Sequence, residues 1–358
     1  MNAGWESKRC DMVEIDGSLG EGGGQIIRTS LSLSALTNTP FLIANIRSRR
    51  PKPGLRAQHL SAARAMQEIA GAHLEGDEIG SEKIIFEPGA VRGGIFRFDI
   101  GTAGATSLVL EALLPPLLYA DSGSRISLRG GTHVPISPPF HFIRDVFLPF
   151  LSELSIQVKT SIKTYGFYPK GGGEIEAEVA ALGARPLDRV EFPENKAIWA
   201  VRGISAVANL PLSIAERQKQ AALAALKGLT PTIEVDTRSV SSPGTGTFLF
   251  LKAEGGACRA GFSSIGVRGK RAETVGSEAA SALLEYWRRP GCVDPLLADQ
   301  IVIYMALSRG RSSLTTTAIT PHLLTNLAVI EKFLHNGYHV EGQTGSPGKV
   351  TIDGVGFT

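Results

Sequence analysis

The sequence predicts an α/β (α+β) protein: a large domain of three β-α-β-α-β-β repeats carrying a smaller inserted α/β domain. Two observations predict it. Strand-like apolar runs alternate with helix-period segments through the first half, and the texture turns compact after Gly183-Ala184-Arg185-Pro186. The first unit reads as a strand at Met12-Val13, a helix over 26–36, a strand over 41–46, a helix over 55–69, and strands over 83–86 and 96–100. A second unit follows, with helices over 105–119 and 139–151 and strands over 125–128, 155–162 and 173–179. The inserted domain then reads as a strand over 197–204, a helix over 214–226, strands over 232–235, 247–253 and 259–264, and a helix over 273–287. The last seventy residues supply two more helices and a strand over 313–318, completing a third unit. The expected division is residues 1–185 with 282–358 for the large domain, and 186–281 for the insertion.

Composition excludes whole classes. With 358 residues, 43% of them hydrophobic, the chain can bury a large core and is neither a disordered tail nor a small stapled peptide. The formal charge of +3 is an average over an uneven distribution. Between Gly22 and Gln67 stand seven basic residues and no acidic one, so the remainder carries 30 basic and 34 acidic residues, or −4. A segment of that kind marks an anionic partner. Cys10, Cys258 and Cys292 make no close pair and no C-x-x-C, which predicts neither a disulfide framework nor a zinc cluster and fits a reducing cytoplasm. The opening MNAGWESKRC lacks the apolar run of a signal peptide, and the most apolar stretch, 107–120, is broken by Glu111 and Pro115-Pro116. A cytoplasmic protein without a membrane segment is expected.

The glycine cluster Gly20-Glu21-Gly22-Gly23-Gly24 follows a strand and opens a helix, where bare N–H groups and the helix dipole can hold an anion. Glycines also serve tight turns, and the cluster matches neither a dinucleotide fingerprint nor a phosphate-binding P-loop. Glu21 inside an anion site is costly unless a cation neutralises it, and a divalent metal would do so. A second triple glycine, Gly171–Gly173, precedes a strand and reads as a turn. The basic segment Arg47-Ser48-Arg49-Arg50-Pro51-Lys52-Pro53-Gly54 is stiffened by prolines and runs into a helix. It suits a grip on a phosphate backbone, and its lack of aromatic residues argues against base stacking there.

None of the seven histidines forms a helical zinc pair. His322 stands out because Thr320 is a plausible N-cap and Pro321 a plausible first residue, placing it in the first turn of an amphipathic helix. The dipole there disfavours imidazolium and draws phosphate toward an unprotonated ring nitrogen. A structural histidine is the competing reading. Leu297-Ala298-Asp299-Gln300 offers either a helix-start carboxylate or a nucleotide contact.

Together these pieces resemble the RNA 3'-terminal phosphate cyclase family. The resemblance rests on DGSLGEGGGQIIRTSLSLSAL (16–36), IRSRRPKPGLRAQHL (46–60), IGTAGATSLVLEALLP (100–115), RGGTHVPISPP (129–139), GFYPKGGG (166–173), LADQ (297–300) and PHLLTNLAVIEKFL (321–334). It implies a fold akin to enolpyruvyl transferases, and ATP-dependent conversion of an RNA 3'-phosphate into a 2',3'-cyclic phosphodiester with release of AMP and diphosphate. His322 would carry AMP as a phosphoramidate. Glu21 would hold Mg²⁺ or Mn²⁺; Glu111, Pro138, Leu297, Ala298, Asp299 and Gln300 would surround the adenosine; Arg28, Arg47, Arg50, Gln58 and His59 would face the RNA end or the phosphates. Two positions depart from the family pattern: Glu111 stands where glutamine is usual, and His133-Val134 where Asp-Asn is common. The rivals are a cyclase-like ribosome-biogenesis protein without the adenylated histidine, an enolpyruvyl transferase, and a passive RNA-binding module. An intact PHLLTN argues for the enzyme. RNA and ATP are the expected partners, with no obligate protein partner.

Overall fold

The computed structural model describes residues 12–192, 198–256 and 258–358. Cys10 and the rest of the opening segment lie outside the described residues, as does position 197, where the first inserted strand was expected to begin. The chain is α/β, with four sheets among the described residues.

The first sheet contains β1 (Val13–Asp16), β2 (Phe41–Ala44), β3 (His73–Glu75) and β4 (Ile84–Glu87) in the order β1-β2-β4-β3. It carries helices α1 (Gly24–Thr37) and α2 (Ala57–Ala70). The second repeats this order with β5 (Ile95–Asp99), β6 (Ser124–Gly130), β7 (Val158–Thr164) and β8 (Gly173–Val179) as β5-β6-β8-β7. Its helices are α3 (Thr106–Leu118) and α4, which runs over 140–153 through a π-helical turn at Ile143–Phe147. In both sheets the first pair is parallel and the rest antiparallel, because only the first connection is a helical crossover within the pair. The sequence reading of 96–100 as the last strand of the first unit is therefore corrected: it opens the second. The strand actually closing the first unit's turn, His73-Leu74-Glu75, is three residues long and too short to show an alternating pattern.

The third sheet holds β13 (Arg309–Thr316), β14 (Tyr338–Glu341) and β15 (Gly348–Val355), with helices α7 (Pro295–Leu307) and α8 (Pro321–Leu334). β15 covers one edge of β13. Along its other edge run two separate pieces of chain: Glu191 bridges Ser313 and Val293 bridges Thr316, both parallel. The position of a first strand is thus filled by a strand cut in two, and the insertion lies between the halves.

The inserted sheet has the order β10-β9-β11-β12, from β9 (Ala200–Ala208), β10 (Thr232–Ser239), β11 (Gly246–Gly255) and β12 (Cys258–Ile265). Helices α5 (Leu212–Leu226) and α6 (Ala272–Arg288) pack on each other and on one face of it, enclosing Val201, Leu249, Leu251, Leu283 and Tyr286. Its opposite face joins the main core, where Phe248 and Phe250 are buried and Gly261 leaves room for Phe142 and Val146 of α4. The expected boundary at 281/282 falls inside α6, and that at 185/186 falls ahead of Leu187–Phe192, which pairs with β13.

The cysteine reading is corrected too. Cys258, opening β12, and Cys292, ahead of α7, form a buried disulfide with Cα atoms 5.5 Å apart. They are 34 residues apart, and only the return of the chain to the cut strand brings them together. The cysteine-based reason for a reducing compartment falls with it. Among the described residues no helix is long and apolar enough to cross a membrane.

Candidate functional site

Helix α1 lies between α3 and α8, and the site forms where its N-terminal half meets theirs. Small polar residues let the helices approach. Ser32 Oγ donates to the Ala112 carbonyl of α3 at 2.6 Å, and Thr29 Oγ1 donates to Asn326 Oδ1 of α8 at 2.7 Å. Gly20, in the left-handed region at φ 56°, stands where a Cβ would fall 2.2 Å from Thr325 Oγ1. The glycine turn is thus fixed by close approach to α8, and it presents Glu21 to that helix.

His322 occupies the first turn of α8. Thr320 caps the helix, accepting from Leu323 N at 2.9 Å while donating to Asp299 Oδ1 at 2.5 Å, and Pro321 follows it. The ring Nδ1 lies 3.3 Å from Glu21 Oε2, and Arg50 approaches the same oxygen at 3.6 Å. Burial holds the His322 pKa below its ordinary value; Glu21 opposes this, and Arg28 and Arg50 add to it. That shift favours the neutral ring. A carboxylate beside Nδ1 favours the proton there and leaves the lone pair on Nε2.

Beside it a polar cavity is lined by Gln25, Arg28, Glu111, Asp299, Gln300 and Tyr304, among others. Glu111 Oε1 accepts from Gln300 Nε2 at 2.8 Å. Burial pushes the Glu111 carboxyl up to about 8, against the pull of Arg28 and with help from Asp299. Asp299 is likewise pushed up to about 8 by burial, opposed by its Thr320 hydrogen bond and raised by Asp294 and Glu21. Three buried atoms on this lining, Gln25 Oε1, Gln300 Oε1 and Tyr304 OH, have no hydrogen-bond partner among the described residues. Unsatisfied polar atoms gathered in one cavity are the signature of a site that expects a polar ligand.

The remaining residues separate into groups. Leu297 and Ala298 are buried in the core and do not belong to the cavity lining. Helix α7 starts earlier than LADQ suggests: its N-cap is the buried Asp294, whose Oδ1 accepts from Leu296 N and Leu297 N, so Asp299 lies inside the helix. Pro138 is buried ahead of α4, its carbonyl accepting from Ser107 Oγ at 2.7 Å. Arg47, at φ 53°, donates through Nη1 to the Lys52 and Gly54 carbonyls and so shapes the basic loop. Exposed Arg50 is the member of that loop that reaches Glu21. His59 is 4% exposed: its Nδ1 accepts from Arg56 N at 3.1 Å, and Nε2 lies 2.0 Å from where a Gly24 Cβ would stand. Burial, then Arg28, Arg47 and Arg56, lower its pKa to about 3, making it a neutral spacer between the glycine turn and α2. Gln58 faces the loop before α3, close to Gly104. His133 is buried, bonded to Thr132 and His141 and packed 4.0 Å from Phe248, so that departure from the family pattern is a core contact. Sequence reasoning missed Gln25, Thr29, Tyr304 and Asn326 as site residues. Gln25, Thr29 and Asn326 stood inside quoted motifs, whereas nothing local marks Tyr304.

A family model for RNA 3'-terminal phosphate cyclase matches residues 19–340. The chain belongs to the RNA 3'-terminal phosphate cyclase family. Among relatives bearing that name, the protein of Pyrococcus furiosus is 43% identical over 342 residues, covering 95% of this chain and 98% of its own. That of Methylococcus capsulatus is 45% identical over 331 residues, covering 90% and 91%. A solved enolpyruvyl transferase, NikO of Streptomyces tendae, aligns with 96% of this chain and 48% of its own at 11% identity, and its TM-score of 0.39 is too low to establish a shared fold.

Proposed function

We propose that the protein is an ATP-dependent RNA 3'-terminal phosphate cyclase acting through His322. The carrying observation is His322 in the first turn of α8, its Nδ1 beside Glu21 and its helix start opening beside a cavity whose Gln25, Gln300 and Tyr304 oxygens lack partners among the described residues. A 3'-phosphate is a poor electrophile because it has no good leaving group. His322 Nε2 attacks the α-phosphorus of ATP and diphosphate departs. A 3'-phosphate oxygen of the RNA then attacks the same phosphorus and the histidine leaves. Finally the neighbouring 2'-OH attacks the 3'-phosphorus, closing the ring, and AMP carries off the bonding pair. The last step is intramolecular, where effective molarities reach on the order of 10⁵–10⁸ M.

The adenosine would find acceptors in Gln25 Oε1 and Gln300 Oε1 and a neutral carboxyl in Glu111. Arg28 and Arg50 would meet phosphates with planar bidentate donors. For a divalent cation the fit is narrow: among the described residues no three His, Cys, Asp or Glu side chains converge. Glu21 can serve a Mg²⁺ or Mn²⁺ ion that takes its other ligands from phosphates and water. The ion would neutralise charge on the reacting phosphates.

Incubation with α-labelled ATP and metal should leave acid-labile AMP on the wild type and none on His322→Ala, and a 3'-phosphate oligonucleotide should be cyclised only by the former. Equal labelling of both proteins, or of neither, refutes this reading; absence of label would fit the non-adenylated relative.

A further inference from the structure

A groove of about 580 Å³ opens where the inserted domain meets the β7–β8 connection. Phe167, Tyr168 and Pro169 form one wall; Val267, Arg268 and Lys270, following β12, help form the other, and among the described residues no carboxylate lines it. Tyr168 is 67% exposed and stacks on no other ring among the described residues. Lys270 pairs with Glu278, whereas Arg268 and the neighbouring exposed Lys170 pair with no carboxylate among the described residues. An open aromatic face bordered by uncompensated cations suits a single-stranded nucleic acid, which offers bases to stack and phosphates to pair.

Two structural links join this groove to the candidate site. The first is a backbone floor. Gln58 Cβ lies 3.0 Å from where a Cβ on Gly104 would stand, and a Cβ on Gly171 would fall 2.8 Å from Ala103 Cα. Gly171 and Gly172, at φ 64° and 70°, carry no side chain to obstruct the path. The second is the loop before α4: Pro135 lines the groove, and three residues on, at most ~11 Å along an extended chain, the Pro138 carbonyl accepts from Ser107 Oγ, one turn of α3 ahead of Glu111 in the cavity lining.

We propose that this groove is an RNA subsite that holds the single-stranded nucleotides 5' of the terminal phosphate. A base stacks on Tyr168, while Arg268 and Lys170 meet the backbone. The triple glycine at 171–173 then acts as paving between the basic loop and Tyr168, beyond its role in the turn. The proposal rests on the cyclase reading for the identity of the polymer.

The test uses the full chain with Tyr168→Ala, Tyr168→Phe and Arg268→Ala, checked by thermal melting. Fluorescent 3'-phosphate oligoribonucleotides of about three and about twelve nucleotides are compared by anisotropy and by KM for cyclisation. Tyr168→Ala should bind the longer RNA on the order of tenfold more weakly. It should leave the KM for the short one and the AMP label unchanged, and Tyr168→Phe should restore binding. Unaltered affinity for the longer RNA, or equal losses on both lengths, overturns the subsite; so would a groove that serves a protein partner, since RNA binding would then be indifferent to Tyr168. If the wild type takes no label and cyclises nothing, the cyclase reading fails, and anisotropy with the longer RNA alone still decides the groove.

Discussion

Replacing Glu111 by glutamine should make the protein's stability less dependent on pH. The folded-state carboxyl is raised from 4.5 to about 8, chiefly by burial. Between those values the folded chain holds a proton that the unfolded chain has released, so unfolding sheds a proton and stability falls as pH rises. The slope is about 1.4 kcal/mol per pH unit, or roughly 5 kcal/mol across the interval. Asp299, raised to about 8 beside it, opposes a second ionisation, so the pair gives up its protons in steps that belong to both groups. Glutamine keeps an oxygen for Gln300 Nε2 and removes the titration. Urea unfolding of wild type and Glu111→Gln at pH 5, 6.5 and 8 isolates the difference. The wild type should lose about 2 kcal/mol or more relative to the variant between pH 5 and 8. Parallel pH profiles would mean that Glu111 is ionised throughout and that burial does not govern it.

Other changes act on named contacts. Glu21→Gln removes the influence that raises the His322 pKa, so the acid limb of AMP transfer should move to lower pH and the plateau rate should drop roughly 10–100-fold; an unmoved limb would separate Glu21 from the ring. Gly24→Ala drives a methyl into the locked His59 ring and should cost about 1–3 kcal/mol, read as a lower melting temperature and a loss of ATP labelling. Cys292→Ser opens the 34-residue crosslink and should lower stability by about 3–4 kcal/mol, and reductant should affect wild type but not the variant. Affinity for 3'-phosphate RNA should fall steeply with salt, as measured by anisotropy across a salt series.

The sequence made legible whatever depends on local pattern. The α8 cap was visible because Thr320 and Pro321 announce a helix start, and that alone placed His322 in a first turn. The glycine turn was visible as glycine, but its pairing of Glu21 with His322 depends on Gly20 touching Thr325, a contact between residues some three hundred positions apart. Asp299 and Gln300 were found through a motif, whereas Tyr304, one helical turn on, was hidden because an apolar helix gives no sign of which hydroxyl will face a cavity. The hairpin β14–β15 escaped notice, because β14 is only four residues long and the loop that follows it carries Gly342, Gly345 and Pro347. The disulfide was invisible for the same reason as the Glu21–His322 contact: topology, not spacing, sets the distance.

The cut strand along β13 has a consequence for how the insertion is carried. Pairing Glu191 with Ser313 puts residue 192 opposite 314, and pairing Val293 with Thr316 puts residue 292 opposite 315. Residues 192 and 292 are therefore successive positions of one strand, separated in register by a single peptide unit. The ends of the inserted domain meet where a bond would otherwise stand, so its termini require no rearrangement of the strand that receives them. Because closure entropy grows only slowly with loop length, about 0.6 kcal/mol per doubling, a whole domain in that gap burdens the sheet little more than a long loop would. Joining Phe192 directly to Cys292 would keep the strand in register, but it would also uncover the face of α4 on which Gly261 packs and leave Cys292 without Cys258, so the insertion is continuous with the main core although its ends meet as one strand.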